Sequence, residues 1–137
     1  GGAGQNGSTS AGGYGGIGVQ LPSTFRNPDS SPTPNGGGLG MPGPNSEGFW
    51  FAGGGGGSGA SASTPATAYG RGGTGTPGDS APGPFAGGGD GSYSTGDFGV
   101  TNTGGGGGGS ERMPAPPNKF YQGGNGGSGI VIIAYDS

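Results

Sequence analysis

Runs of consecutive glycine punctuate this chain from end to end, and they decide what it can fold into. The longest are Gly53, Gly54, Gly55, Gly56 and Gly57, and Gly104, Gly105, Gly106, Gly107, Gly108 and Gly109, with shorter ones at 12–16, 36–38, 70–73, 87–89 and 123–127. A glycine in a helix interior costs about 1 kcal/mol relative to alanine, and 44 of the 137 residues are Gly. A helical fold is therefore excluded. Leu, Ile, Val and Phe together number only 15. The nine Leu, Ile and Val side chains contribute roughly 1.5–3 kcal/mol each when buried. Ordering each of 137 residues costs about 1–2 kcal/mol of backbone entropy, glycine losing the most freedom. Side chains alone do not hold this chain together.

Two outcomes remain: disorder, or a fold in which the backbone supplies the cohesion. Glycine makes the second physically available. A run in polyproline-II geometry has three residues per turn, about 3.1 Å rise and no internal hydrogen bonds. Its N–H and C=O groups point outward, and without Cβ atoms neighbouring runs approach to backbone contact. A bundle of such runs pairs its buried backbone groups, and any Cβ inside it would wedge the runs apart. The predicted fold class is accordingly mostly irregular. It is a bundle of glycine-rich extended runs of polyglycine-II or polyproline-II type, joined by Pro/Ser/Asn loops, with a few short β-strands and essentially no helix. Residues 1–137 read as one glycine-rich structural domain or segment. Because the sequence opens without Met inside a glycine tract, it reads as part of a longer or oligomeric assembly.

Glycine runs start at 36, 53, 70, 87 and 104, each 17 residues after the last. Their flanks repeat too: Phe51-Ala52-Gly53-Gly54-Gly55 matches Phe85-Ala86-Gly87-Gly88-Gly89. The spacing is either a stacked structural repeat or the chance regularity of a glycine-rich text. Between runs lie segments such as 28–35, 41–45 and 113–118, rich in Pro, Ser, Thr and Asn, which read as surface loops. Collagen is excluded, because its Gly-every-third register begins at Gly75 and breaks at Ala81.

Ile130, Val131, Ile132 and Ile133, followed by Ala134 and Tyr135, form a β-branched stretch that predicts a strand over 130–135. Both of its faces are apolar, so both should be covered. A second strand is expected at 17–21, where apolar residues alternate, and it is the natural partner of the first. Two strands alone are marginal in water, so further strands are expected, from another subunit if not from this chain. Phe49, Trp50, Phe51, Tyr69, Phe85, Phe98, Phe120 and Tyr121 stand at or near run ends, where they would cap the bundle.

The chemistry-bearing side chains are sparse. Four basic and seven acidic residues give a net charge of −3, which gives no electrostatic footprint for nucleic acid. Nothing approaches the about 20 apolar residues of a membrane span. With neither Cys nor His, disulfides, thiolate sites and the commonest general base are excluded. Matches to G-x-G-x-x-G lack the strand–helix context of a nucleotide site. One Arg-Gly-Gly at 71–73 falls short of an RNA-binding array, and Gly88-Gly89-Asp90-Gly91 falls short of a calcium-binding repeat. Glu47, Asp79, Asp90, Asp97 and Glu111 read as solvated loop charges rather than an acid/base pair, since no shaped cleft is indicated. Catalytic residues, metal and cofactor are not expected. Trp50, Tyr93, Phe120 and Tyr121 are the candidates for receptor contact through stacking, with bundle capping as their structural alternative.

The stretch Gly123-Gly124-Asn125-Gly126-Gly127-Ser128-Gly129-Ile130-Val131-Ile132-Ile133-Ala134-Tyr135 resembles the closing motif of the glycine-rich domain of tailed-bacteriophage virion proteins, including marine and cyanobacterial phages. Residues 15–25 and 102–109 are similar to internal parts of the same domains. The resemblance implies a tail fibre, adhesin or other virion appendage that displays loops for host attachment. Its implied partners are other copies of itself, other virion proteins, and a host-surface polysaccharide or protein, with no nucleic acid and no membrane insertion. The resemblance brings no catalytic residues. Two rival classes are a glycine-rich subunit of a cellular extracellular filament or matrix, and an ice-binding bundle. Thr64, Thr67, Thr74, Thr76, Thr101 and Thr103 lack the flat order that ice binding requires.

Overall fold

The structure is a computed structural model that describes residues 2–7, 11–26, 39–43, 47–59, 70, 72–73, 85–92, 94–110, 112–113 and 119–135. These residues are mostly irregular, without any α-helix and with a few two-residue strands. Order comes instead from hydrogen bonds between extended glycine runs. Donors recur every third residue, as three residues per turn require. Gly53 and Gly56 donate to the carbonyls of Ala86 and Gly89 (both 2.9 Å), while Gly54 and Gly57 donate to Gly16 and Gly13 (both 2.8 Å). One run thus addresses two neighbours from two of its faces.

Eight runs can be followed in this way among the described residues. In chain order they cover 2–7 (run 1), 12–18 (run 2), 53–58 (run 3), 70–73 (run 4, residue 71 excepted), 86–92 (run 5), 96–100 (run 6), 104–109 (run 7) and 122–128 (run 8). Their bonding partners fix their directions. Runs 3, 5 and 7 are parallel, and runs 2, 4, 6 and 8 run opposite to the neighbours they bond among these three. Run 1, which bonds run 2 through Gly2 to Ile17 (2.6 Å) and Gln5 to Tyr14 (2.9 Å), points the same way as run 3. The chain therefore passes up and down the bundle alternately.

Runs 3, 5 and 7 form the centre. Run 3 donates to run 5 through Gly53 and Gly56, and run 5 donates to run 7 through Gly89 to Gly106 (2.9 Å) and Ser92 to Gly109 (3.0 Å). Run 7 closes the ring through Gly106 to Gly53 (2.9 Å) and Gly109 to Gly56 (2.8 Å). Side chains have no room here. A Cβ on Gly55 would overlap the carbonyl of Gly107, one on Gly105 that of Gly87, and one on Gly108 that of Asp90.

This arrangement also resolves the 17-residue spacing. The starts at 53, 87 and 104 do mark the three parallel central runs, but run 4 at 70 is antiparallel to run 3, and run 6 intervenes between 87 and 104. The interval therefore does not delimit one stacked unit. The duplicated Phe-Ala-Gly flank has a clearer meaning. Ala52 (φ 57°) and Ala86 (φ 48°) both adopt left-handed backbone as the chain enters a central run, and the phenylalanine before each is buried.

Short strands and side chains dress the ends. Strand β1 (Val19–Gln20) pairs antiparallel with β2 (Trp50–Phe51), in the register Val19 to Phe51 and Gln20 to Trp50. Strand β3 (Arg112–Met113) pairs with β4 (Lys119–Phe120) at the opposite end. One 3-10 turn, Ser23–Phe25, follows β1; it is the only helical turn among the described residues. A small apolar cluster of Met41, Phe51, Phe85 and Ala86 closes the end where β1 and β2 lie.

Two expectations about strands need correction. Residues 130–135 are not a strand: the stretch from 129 to 135 makes no backbone hydrogen bond to any described residue. It projects past the last bonds of run 8, where none of the described runs bonds to it. Only one of its faces is partly covered: Ile132 is half-buried, while Val131 at 86% and Tyr135 at 87% exposure lie open on the alternate positions. The strand expected over 17–21 shrinks to Val19–Gln20, and its partner is Trp50–Phe51 rather than the C-terminal stretch. Leu21 still donates to Phe49 (2.9 Å), so this edge is already occupied from the other side of the chain.

Candidate functional site

A bundle of this kind has two ends and a flank as candidate surfaces. At one end, called here the capped end, lie Ile17, β1, β2, Ala86, Thr103 and Gly129. At the other, the open end, lie Gly12, Ser58, Gly70, Ser92, Gly96, Ser110 and Tyr121. Hydrogen bonds between runs fix this division: Ala52 donates to Thr103 (2.8 Å) at the capped end, and Ser92 pairs with Ser110 at the open one.

Polar side chains lock each end. Thr103, buried within the turn between runs 6 and 7, donates from Oγ1 to Val100 (2.6 Å) and accepts from the Gly105 amide (3.1 Å). Ser128 accepts from the Asn102 amide (2.9 Å), tying the exit of run 8 to the same turn. Across the open end, Ser110 Oγ donates to the carbonyl of Tyr121 (2.7 Å), and Ser94 donates from its amide to Ser92 Oγ (3.1 Å). Asp90 departs from the expected solvated charge. Its Oδ1 accepts from the Gly72 amide at 2.6 Å, so this carboxylate bonds run 4 to run 5 inside the bundle.

The four aromatic candidates do not form one constellation. Trp50 is half-buried in β2 at the capped end, its backbone bonded to Met41 in both directions (2.9 and 3.0 Å). Its indole lies so close over Gly43 that a Cβ there would overlap the ring, and Nε1 is buried with no hydrogen-bond partner. Tyr121 is half-buried at the open end, about the length of a central run away from Trp50. Phe120 stands in β4 opposite Arg112 at that same end. Tyr93 lies outside the described residues, as does Tyr69. Of the expected lids, Phe51 and Phe85 are buried, Phe49 and Trp50 are half-buried, and Phe98 is 64% exposed on the flank.

Gly53 to Gly57 and Gly105 to Gly109 lie in central runs, whereas Gly104 turns at φ +67° and is exposed. Sequence reasoning missed a further pattern in the outer runs. In run 2 the residues that are not glycine fall at Tyr14 and Ile17. In run 8 they fall at Gln122, Asn125 and Ser128, all exposed. With three residues per turn, every third side chain leaves the same face, so a Gly-Gly-X rhythm marks a run with one open side. That signal was available in the repeats Gly12-Gly13-Tyr14 and Gly123-Gly124-Asn125.

An apolar groove of about 490 Å³ lies at the capped end. Val19, Leu21, Phe25 and Phe51 line one side, and Ile130 and Ile132 the other. No group of three or more carboxylates occurs among the described residues, and no described helix is long and apolar enough to cross a membrane. Phe49 packs under the guanidinium of Arg26 at 6.0 Å, and Arg26 Nε donates to Leu21 (2.6 Å), which fixes the rim of the groove. Compared with protein-family models, curated proteins and solved structures, the chain matches none.

Proposed function

We propose that this chain is a non-enzymatic structural component of a tailed-phage virion fibre or appendage, a stiff glycine scaffold that displays variable segments for host-surface attachment. The observation that carries the reading is the closed ring of runs 3, 5 and 7. Each bonds the next every third residue, so the bundle coheres through its backbone with only a small apolar cluster at one end. At the open end the chain leaves one run and returns in another between Gly59 and Gly70, Gly91 and Gly96, and Ser110 and Lys119. Those intervals contain Tyr93 and the proline-rich stretch 114–117. In this reading these intervals are the segments that differ from one virion to another and recognise different surface polysaccharides or proteins. Its partners would be other virion proteins, further copies of itself and the host surface, and its location the virion.

The test is an exchange experiment in the parent phage. Replacing residues 60–69, 93–95 and 111–118 with those of a variant should alter host adsorption while particles still assemble. Adsorption unchanged across every exchange would refute the attachment role. Antibody labelling that placed the chain on a cellular filament rather than a virion would refute the assignment altogether.

A further inference from the structure

Deepening the reading of the chain as an assembling subunit, we infer that its capped end is a docking face for a second copy, with residues 130–135 as the docking strand. Three observations converge on this face. First, residues 129–135 leave every backbone N–H and C=O without a partner among the described residues. A β-branched segment whose backbone groups are unpaired along its length is a template for another strand. Ile130 and Ile132 line the groove of their own chain, while Val131, Ile133 and Tyr135, on the alternate positions, are exposed by 86, 76 and 87%.

Second, the exposed area suits a stable pair. Val19 is 55% exposed, Phe25 36% and Ile130 41%, and they adjoin this strand around the groove. At roughly 150–200 Å² for a fully exposed side chain of this size, these six residues present roughly 700 Å² per copy, close to the about 800 Å² per partner of a standard interface.

Third, the face is self-complementary. The segment 130–135 that would pair across the axis carries no charged residue, and the described charge nearest the groove, Arg26, is held at its rim over Phe49 and by the carbonyl of Leu21, so the pairing segments themselves meet no like charges. Strand and groove occupy the same surface, and a twofold axis through it pairs strand with strand and covers both grooves at once, as an isologous contact does. A partner of different chemistry would have to supply its own uncharged strand; a second copy already carries one.

Sedimentation equilibrium of the intact chain tests the inference. At about 100 μM, well above the Kd of most interfaces of this size, the wild type should show twice its 12.6 kDa mass. The double variant Val131→Lys, Ile133→Lys, at two exposed positions, should sediment as a monomer, with the glycine-run amides as slow to exchange as in the wild type. Should that variant fail to fold, the wild type alone decides the matter: amides 131–135 should exchange more slowly as concentration rises. A monomeric wild type, a variant that still pairs, or concentration-independent exchange of 131–135 would each overturn the inference. None of these results bears on host adsorption, so the attachment role stands or falls separately.

Discussion

The central runs and the outer runs are built from the same residue and obey different rules. Runs 3, 5 and 7 have neighbours on all sides and are almost pure glycine through 53–57, 87–89 and 105–109. Runs 2 and 8 have an open side and admit a side chain at every third position, such as Ile17 and Asn125. What separates them is the number of neighbours: each central run bonds four others, whereas runs 2 and 8 bond two each among the described residues, and a three-residue turn brings every third side chain to the side left open. Glycine is therefore a packing residue in the centre and a spacing residue at the rim.

Substitutions at matched positions sharpen that contrast, and the largest effect belongs to the centre. Gly55→Ala combined with Gly108→Ala drives two Cβ atoms into carbonyls. Overpacking costs about 1–3 kcal/mol per site and more when backbone must shift, against a total stability on the order of 5–15 kcal/mol. The double variant should show no cooperative unfolding transition by circular dichroism or calorimetry. Phe85→Ala comes next: the ring is 5% exposed, and its removal should cost about 3–5 kcal/mol in denaturant titration. Asp90→Ala removes the acceptor of the Gly72 amide and should cost about 1.5–3 kcal/mol, the usual worth of a hydrogen bond to a charged group. Asn125→Ala, on the open face of run 8, should change stability by less than about 0.5 kcal/mol. If Asn125→Ala proved as damaging as the substitutions at Gly55 and Gly108, the division between centre and rim would be lost.

The lattice was legible because its cause is compositional. Glycine tracts too long for a helix and too poor in side chains for a core leave backbone pairing as the ordered outcome, and Gly53 to Gly57 is where it occurs. The ends were less legible. Ile130 to Ile133 has strand propensity, yet a strand needs a second backbone, and propensity says nothing about whether one is within reach. Val19–Gln20 found its partner at Trp50–Phe51 because the chain returns to the capped end there, a topological fact that local pattern does not encode. Asp90 looked like a loop charge for a related reason: only the course of run 4 brings the Gly72 amide to its carboxylate. The Gly-Gly-X rhythm of the outer runs was in plain view and needed only the three-residue turn to be interpreted.

Amide hydrogen exchange tests the backbone lattice most directly. If runs 3, 5 and 7 cohere through their own peptide groups, the amides of Gly53, Gly56, Gly89 and Gly106 should be protected by orders of magnitude, and that of Val131 in dilute monomer should not. Exchange of all five at the rate of an unstructured peptide would contradict the account.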